Sequence, residues 1–126
     1  MANANKIRGD KYEREILAQC HRAGFIGATR TRPGRNEDQG DILLNRAGTA
    51  IIQTKDVAQL NFRDWMAELD AQMDAAGAGH GALVVKRRGV GGRPALHLAV
   101  MDVEMMLDLM ARAGHQDGPA QRGIGA

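Results

Sequence analysis

The sequence predicts an α/β fold in which a mixed sheet is flanked by helices, and three observations predict it. Apolar runs of strand length recur at 51–52, 82–85 and 95–100, bounded by glycine or polar residues. Longer stretches at 10–23, 61–76 and 102–111 carry apolar residues at helical spacing. The two patterns follow the order α-β-β-β-α-β-β-α with no internal repeat, which separates strands and helices into layers.

Residues 1–8, with Lys6 and Arg8, read as a loose basic arm before a domain spanning 9–113. The first helix, 10–23, stops at Gly24. On a wheel of ~100° per residue, Ile16, Leu17 and Cys20 form one face, Glu13 falls within it and Glu15 points away. A carboxylate aimed into an apolar face is costly without a partner such as a metal. So near a helix start, it can instead reach solvent and interact with the dipole. Residues 25–29 read as the first strand, and 31–40, broken by Pro33 and Gly34, as a polar loop.

Strands at 41–44 and 49–55 flank a turn at 45–48. Side chains alternate with period two, so Gln53 and Lys55 share a face. Antiparallel pairing sets Asp41, at the start of one strand, beside the end of the next, and so gathers Asp41, Gln53 and Lys55. Asn61 is placed to cap a helix running to 76, whose Phe62, Trp65, Met66, Leu69 and Met73 make a core stripe. A strand at 82–85, a basic glycine-rich tip at 86–93 and a strand at 95–100 follow. Asp102 is placed to cap the last helix, and residues 114–126 read as a disordered tail.

A chain of 126 residues fits one compact domain, and with 3% aromatic content its core relies on Leu, Ile, Val, Ala and Met. No apolar run approaches the ~20 residues that span a bilayer, and the first residues lack the apolar stretch of a signal peptide. No membrane association is therefore expected. Cys20 is the single cysteine, which rules out an internal disulfide and suits a reducing cytoplasm. The absence of serine excludes a Ser-His-Asp hydrolase. His21, His80, His97 and His115 lack zinc-ligand spacing, and Gly77-x-Gly79-x-Gly81 follows a helix, the reverse of a dinucleotide fingerprint. Cys20 reads as a buried small hydrophobe.

The net charge of +2 says less than its distribution. Arg8, Lys11, Arg30, Arg32 and Arg35 lie in a basic first third, and Lys86, Arg87, Arg88 and Arg93 form a second group. Between them, 56–74 is acidic. Such segregation suits one face turned to a polyanion, and equally a set of solvated charges. The constellation of Glu13, Asp41, Gln53 and Lys55 supplies carboxylates, an amide oxygen and an ammonium, the groups a magnesium-dependent phosphodiester nuclease has to assemble.

The stretches Gly9-Asp-Lys-Tyr-Glu13-Arg-Glu15-Ile, Gly40-Asp41-Ile-Leu-Leu and Ile51-Ile-Gln53-Thr-Lys55, in this order, resemble the PD-(D/E)xK nuclease superfamily. Within it they look most like the archaeal-type and phage Holliday-junction resolvases. The resemblance spans residues 8 to about 100 and implies a restriction-endonuclease-like core. It carries Glu13, Asp41, Gln53 and Lys55 over as the active site. Mg²⁺ (or Mn²⁺) is implied on Asp41, Gln53, Glu13 and the Thr54 carbonyl. Lys55 is implied to orient water or neutralise charge at phosphorus. Arg8, Lys11, Arg30, Arg32, Arg35, Lys86, Arg87, Arg88 and Arg93 are implied to contact DNA, most naturally a four-way junction or other branched duplex.

One position departs from the family pattern: the usual second acid is Gln53, whose oxygen can ligate a hard cation without adding charge. Mrr-like restriction nucleases and some transposase-associated nucleases resemble this Gln-x-Lys variant, so those roles stand as alternatives, as does a non-catalytic DNA-binding module. The resolvase role implies a homodimer, with Met105, Met106 and Met110 as the candidate patch. The expected setting is the cytoplasm, either of the encoding cell or of a phage host.

Overall fold

A computed structural model describes residues 4–31 and 41–118. The elements run α1 (Ala4–Arg22), β1 (Thr29–Arg30), β2 (Ile42–Leu43), β3 (Ala50–Lys55), α2 (Phe62–Ala76), β4 (His80–Arg87), β5 (Leu96–Val100) and α3 (Val103–Arg112), the order expected from the sequence. The strands form one sheet in the order β1-β2-β3-β4-β5. All neighbours are antiparallel except β3 and β4, which run parallel because α2 carries the chain back between them.

Alternation along the central strands divides the core between two faces. Tyr12, Ile16 and Cys20 of α1 pack with Ala28 and Ile42, against Ile52 and Val84. On the opposite face Ile51, Leu83 and Val85 meet Trp65 and Leu69 of α2. Cys20 is buried as expected, and burial raises its thiol pKa. The stripe on α2 is borne out at Trp65 and Leu69, while Phe62 at its start stays 39% exposed.

Local chemistry explains the element ends. The Asn45 side chain accepts from the Thr49 N–H at 3.0 Å and donates to the Thr49 hydroxyl at 2.6 Å, closing the β2–β3 turn. The Asn61 side chain accepts from the Asp64 N–H at the start of α2, as its position predicts. Gly77, at φ 68°, ends α2 in the left-handed conformation that glycine adopts without a Cβ clash.

Four expectations need correction. The helix begins at Ala4, so Lys6 and Arg8 belong to α1 and not to a loose arm. Residues 4–8 contain no proline, and Arg8 donates back to the Asn5 side chain at 3.2 Å, so the turn closes locally. The strand expected at 25–29 is reduced to Thr29–Arg30. Residues 25–28 reverse the chain after α1, with Phe25 N–H on the Cys20 carbonyl and Ala28 N–H on the Phe25 carbonyl, leaving Ile26 83% exposed. Lys86 and Arg87 lie in β4 rather than in the tip, because pairing with His97 and Leu96 extends the strand. Asp102 occupies the N-cap position of α3 without a side-chain cap bond. The tail residues 119–126 lie outside the described residues.

Candidate active site at the end of β3

Asp41 stands one position beyond the Ile42–Ile52 pair, where the β2 ladder stops. The Thr54 N–H lies past that last pair, and it donates to Asp41 Oδ2 at 2.7 Å. The Thr54 hydroxyl reaches the same oxygen at 3.2 Å. The side chain of Asp41 thus serves as the acceptor for Thr54 at this end of the sheet. These two donors hold the carboxylate beside the end of β3.

Alternation then sends the neighbours of Thr54 to the other side. Gln53 and Lys55 both face α2, where each meets Glu68: Gln53 Nε2 donates to Oε2 at 3.0 Å, and Lys55 Nζ lies 3.5 Å from the same oxygen. The Lys55 ammonium also sits 5.4 Å from the centroid of the Trp65 ring. Gln53 is 4% exposed, and its Oε1 is buried with no hydrogen-bond partner among the described residues. An unpartnered buried carbonyl oxygen is costly, and it is a natural donor for a hard cation.

Glu13 reaches the site from the opposite face. Arg30 Nε donates to Glu13 Oε1 at 2.7 Å, and its Nη2 lies 3.5 Å from Asp10. Burial raises the Glu13 pKa, the Arg30 hydrogen bond opposes this, and repulsion from Asp41 adds to the rise. That mutual influence places the two carboxylates in one electrostatic neighbourhood. Arg30, expected on DNA, is therefore engaged with Glu13, and this bond raises its own pKa.

The structure brings the predicted residues together in two groups. Asp41 and Thr54 are joined directly, with Glu13 coupled electrostatically. Gln53 and Lys55 are joined through Glu68, which the sequence reading did not select. The available signal was an acid bordering the apolar stripe between Trp65 and Leu69. Asp64 and Asp70 border the same stripe from outside that interval, so flanking the stripe could not single out Glu68. Among the described residues no group of three His, Cys, Asp or Glu side chains is arranged to hold a metal. Asp41, the orphaned Gln53 oxygen and the desolvated Glu13 are nonetheless donors of the type a hard cation takes.

The basic residues divide similarly. Arg8, Lys11, Lys86 and Arg88 line one pocket with Tyr12. Arg87 and Arg93 are exposed, and Arg32 and Arg35 lie outside the described residues. No helix is long and apolar enough to cross a membrane among the described residues. Set against known proteins, the chain matches no family model, no curated protein and no solved structure.

Proposed function

We propose that the protein is a metal-dependent DNA endonuclease on a restriction-endonuclease-like core, acting as a Holliday-junction resolvase. The observation that carries this reading is the Asp41 carboxylate fixed by Thr54 at the end of β3, the strand that also bears Gln53 and Lys55. Asp41, Gln53 Oε1, Glu13 and the Thr54 carbonyl would hold Mg²⁺ or Mn²⁺. When bound, the ion supplies Lewis acidity toward the scissile phosphate and its attacking water.

The remaining work falls to the chain itself. Lys55 carries positive charge at the sheet end, where charge accumulates on phosphorus, and Glu68 with Trp65 limits the positions its ammonium can take. Arg30 orients the Glu13 carboxylate. Exposed Arg87 at the end of β4 and Arg93 on the β4–β5 connection can contact a neighbouring duplex arm without reading sequence.

A homodimer completes the resolvase reading, since two symmetric nicks call for two sites. Its support is α3, which has no buried residue and presents Val103, Met106, Leu107 and Met110 to the surface. Met105 turns inward instead, its sulfur accepting the Gly81 N–H at 3.2 Å, so the patch is centred on Met106 and Met110.

A second reading, a non-catalytic DNA-binding module, is favoured by the Glu13–Arg30 pair, which already neutralises one of the two carboxylates. Labelled four-way junction, duplex and single-stranded DNA, each with and without Mg²⁺, separate the two. The resolvase reading expects Mg²⁺-dependent nicking of the junction, and Asp41→Asn should lower it about 100-fold or more while the protein still folds and binds. Wild-type cleavage by Asp41→Asn would overturn the assigned site. Binding without cleavage would establish the module.

A further inference from the structure

Two basic segments far apart in sequence converge on one pocket of about 340 Å³. Arg8 and Lys11 come from successive turns of α1, and Lys86 and Arg88 from the end of β4. Glu15 and Asp56 are the acids in its lining, so four cations against two carboxylates leave two positive charges in excess. Asp56 is already committed: Arg88 Nε donates to its Oδ1 at 3.0 Å and Nη2 to its backbone carbonyl at 3.2 Å. That double contact holds Arg88 in place, and Glu15 is the other acid that lines the pocket with Arg8, Lys11 and Lys86.

The pocket floor is the buried Tyr12. The Tyr12 ring is 1% exposed, stacks on His97 at 5.6 Å and shares a 2.9 Å hydrogen bond with His97 Nδ1. Burial, with Glu15 and Asp56, pushes the Tyr12 hydroxyl up to about 12, so no third anion forms there at neutral pH. The Lys86 ammonium lies 5.6 Å from the centroid of that ring, held over the floor. Tyr12 precedes Glu13 and Asp56 follows Lys55, so two residues of the pocket lining are chain neighbours of two candidate-site residues. A DNA strand spaces its phosphates ~3.4 Å apart along the helix axis, so a strand in the site carries other phosphates toward the pocket.

We infer that the pocket between α1 and the end of β4 seats a backbone phosphate flanking the one at the active site. The inference rests on the nuclease reading for the source of that phosphate, though not for the anion site itself. Inorganic phosphate titrated into the ¹⁵N-labelled protein should shift the Lys11, Tyr12 and Lys86 amides saturably, and Lys86→Ala should abolish the response. Shifts spread over the whole basic surface, or unchanged in Lys86→Ala, would overturn the seat.

Duplex binding measured against salt provides the second arm. Lys86→Ala and Lys11→Ala should each reduce the slope of log K on log salt by about 0.9, one phosphate contact, while Arg112→Ala on α3 should not. An unchanged slope with intact DNA binding overturns the seat and leaves the nuclease reading standing. Saturable phosphate binding by a protein that binds no DNA overturns the nuclease reading and the assignment of the seat to DNA.

Discussion

Gln53 donates its amide to Glu68 Oε2 at 3.0 Å, and Lys55 lies 3.5 Å from that same oxygen. A residue of α2 thus supplies negative charge beside the strand position where the nuclease pattern that the sequence resembles has an acid. The glutamine is matched to its neighbour. A carboxylate at position 53 would face another carboxylate.

Gln53→Glu should therefore behave differently with and without metal. In chelator the lost donor and the new like-charge contact should cost about 1–3 kcal/mol, read as a lower thermal midpoint. Added Mg²⁺ should restore the midpoint and preserve or raise cleavage, because the ion gains a charged ligand. A midpoint indifferent to Mg²⁺ would count against metal at this position.

Glu68→Gln should leave stability within about 1 kcal/mol, since the Glu68 side chain is 52% exposed and its ion pair is solvent-screened. Its effect should fall on turnover. With Lys55 no longer held, kcat should drop about tenfold or more, at unchanged DNA affinity. Equal losses in affinity and turnover would point to a DNA contact instead.

Glu13 titrates above the usual carboxylate range, chiefly through burial. A carboxyl whose folded pKa is raised favours the native state while protonated, and that contribution fades as pH rises through the folded pKa. Glu13→Gln removes this dependence. Relative to wild type, the variant should gain stability between about pH 4 and pH 7. Chemical denaturation at both pH values gives the comparison, and a variant that loses stability relative to wild type as pH rises would contradict the assignment.

Met106→Glu on the exposed face of α3 should weaken self-association at least tenfold, about 1.4 kcal/mol, without unfolding the chain, because Met106 is 37% exposed. Light scattering at micromolar concentration reads the change. A wild-type protein that is monomeric with and without junction DNA would argue against the resolvase role.

The sequence by itself determined the order of the eight elements, the extent of α2 with its Asn61 cap, and the shared face of Gln53 and Lys55. These rest on local periodicity and turn chemistry, which a few consecutive residues express. Tertiary structure alone decided the side-chain partnerships. Arg30 is 17 residues from Glu13, Gln53 is 15 from Glu68, and Tyr12 is 85 from His97. The three-residue motif at 53–55 was legible, yet the sheet splits it: Thr54 turns to Asp41 while Gln53 and Lys55 turn to Glu68. Asp41 meets Thr54 across the β2–β3 pairing, whereas Glu68 meets Gln53 and Lys55 because α2 lies across that face of the sheet. No spacing within a single segment encodes that docking, because its energy comes from burying two separate apolar faces at once.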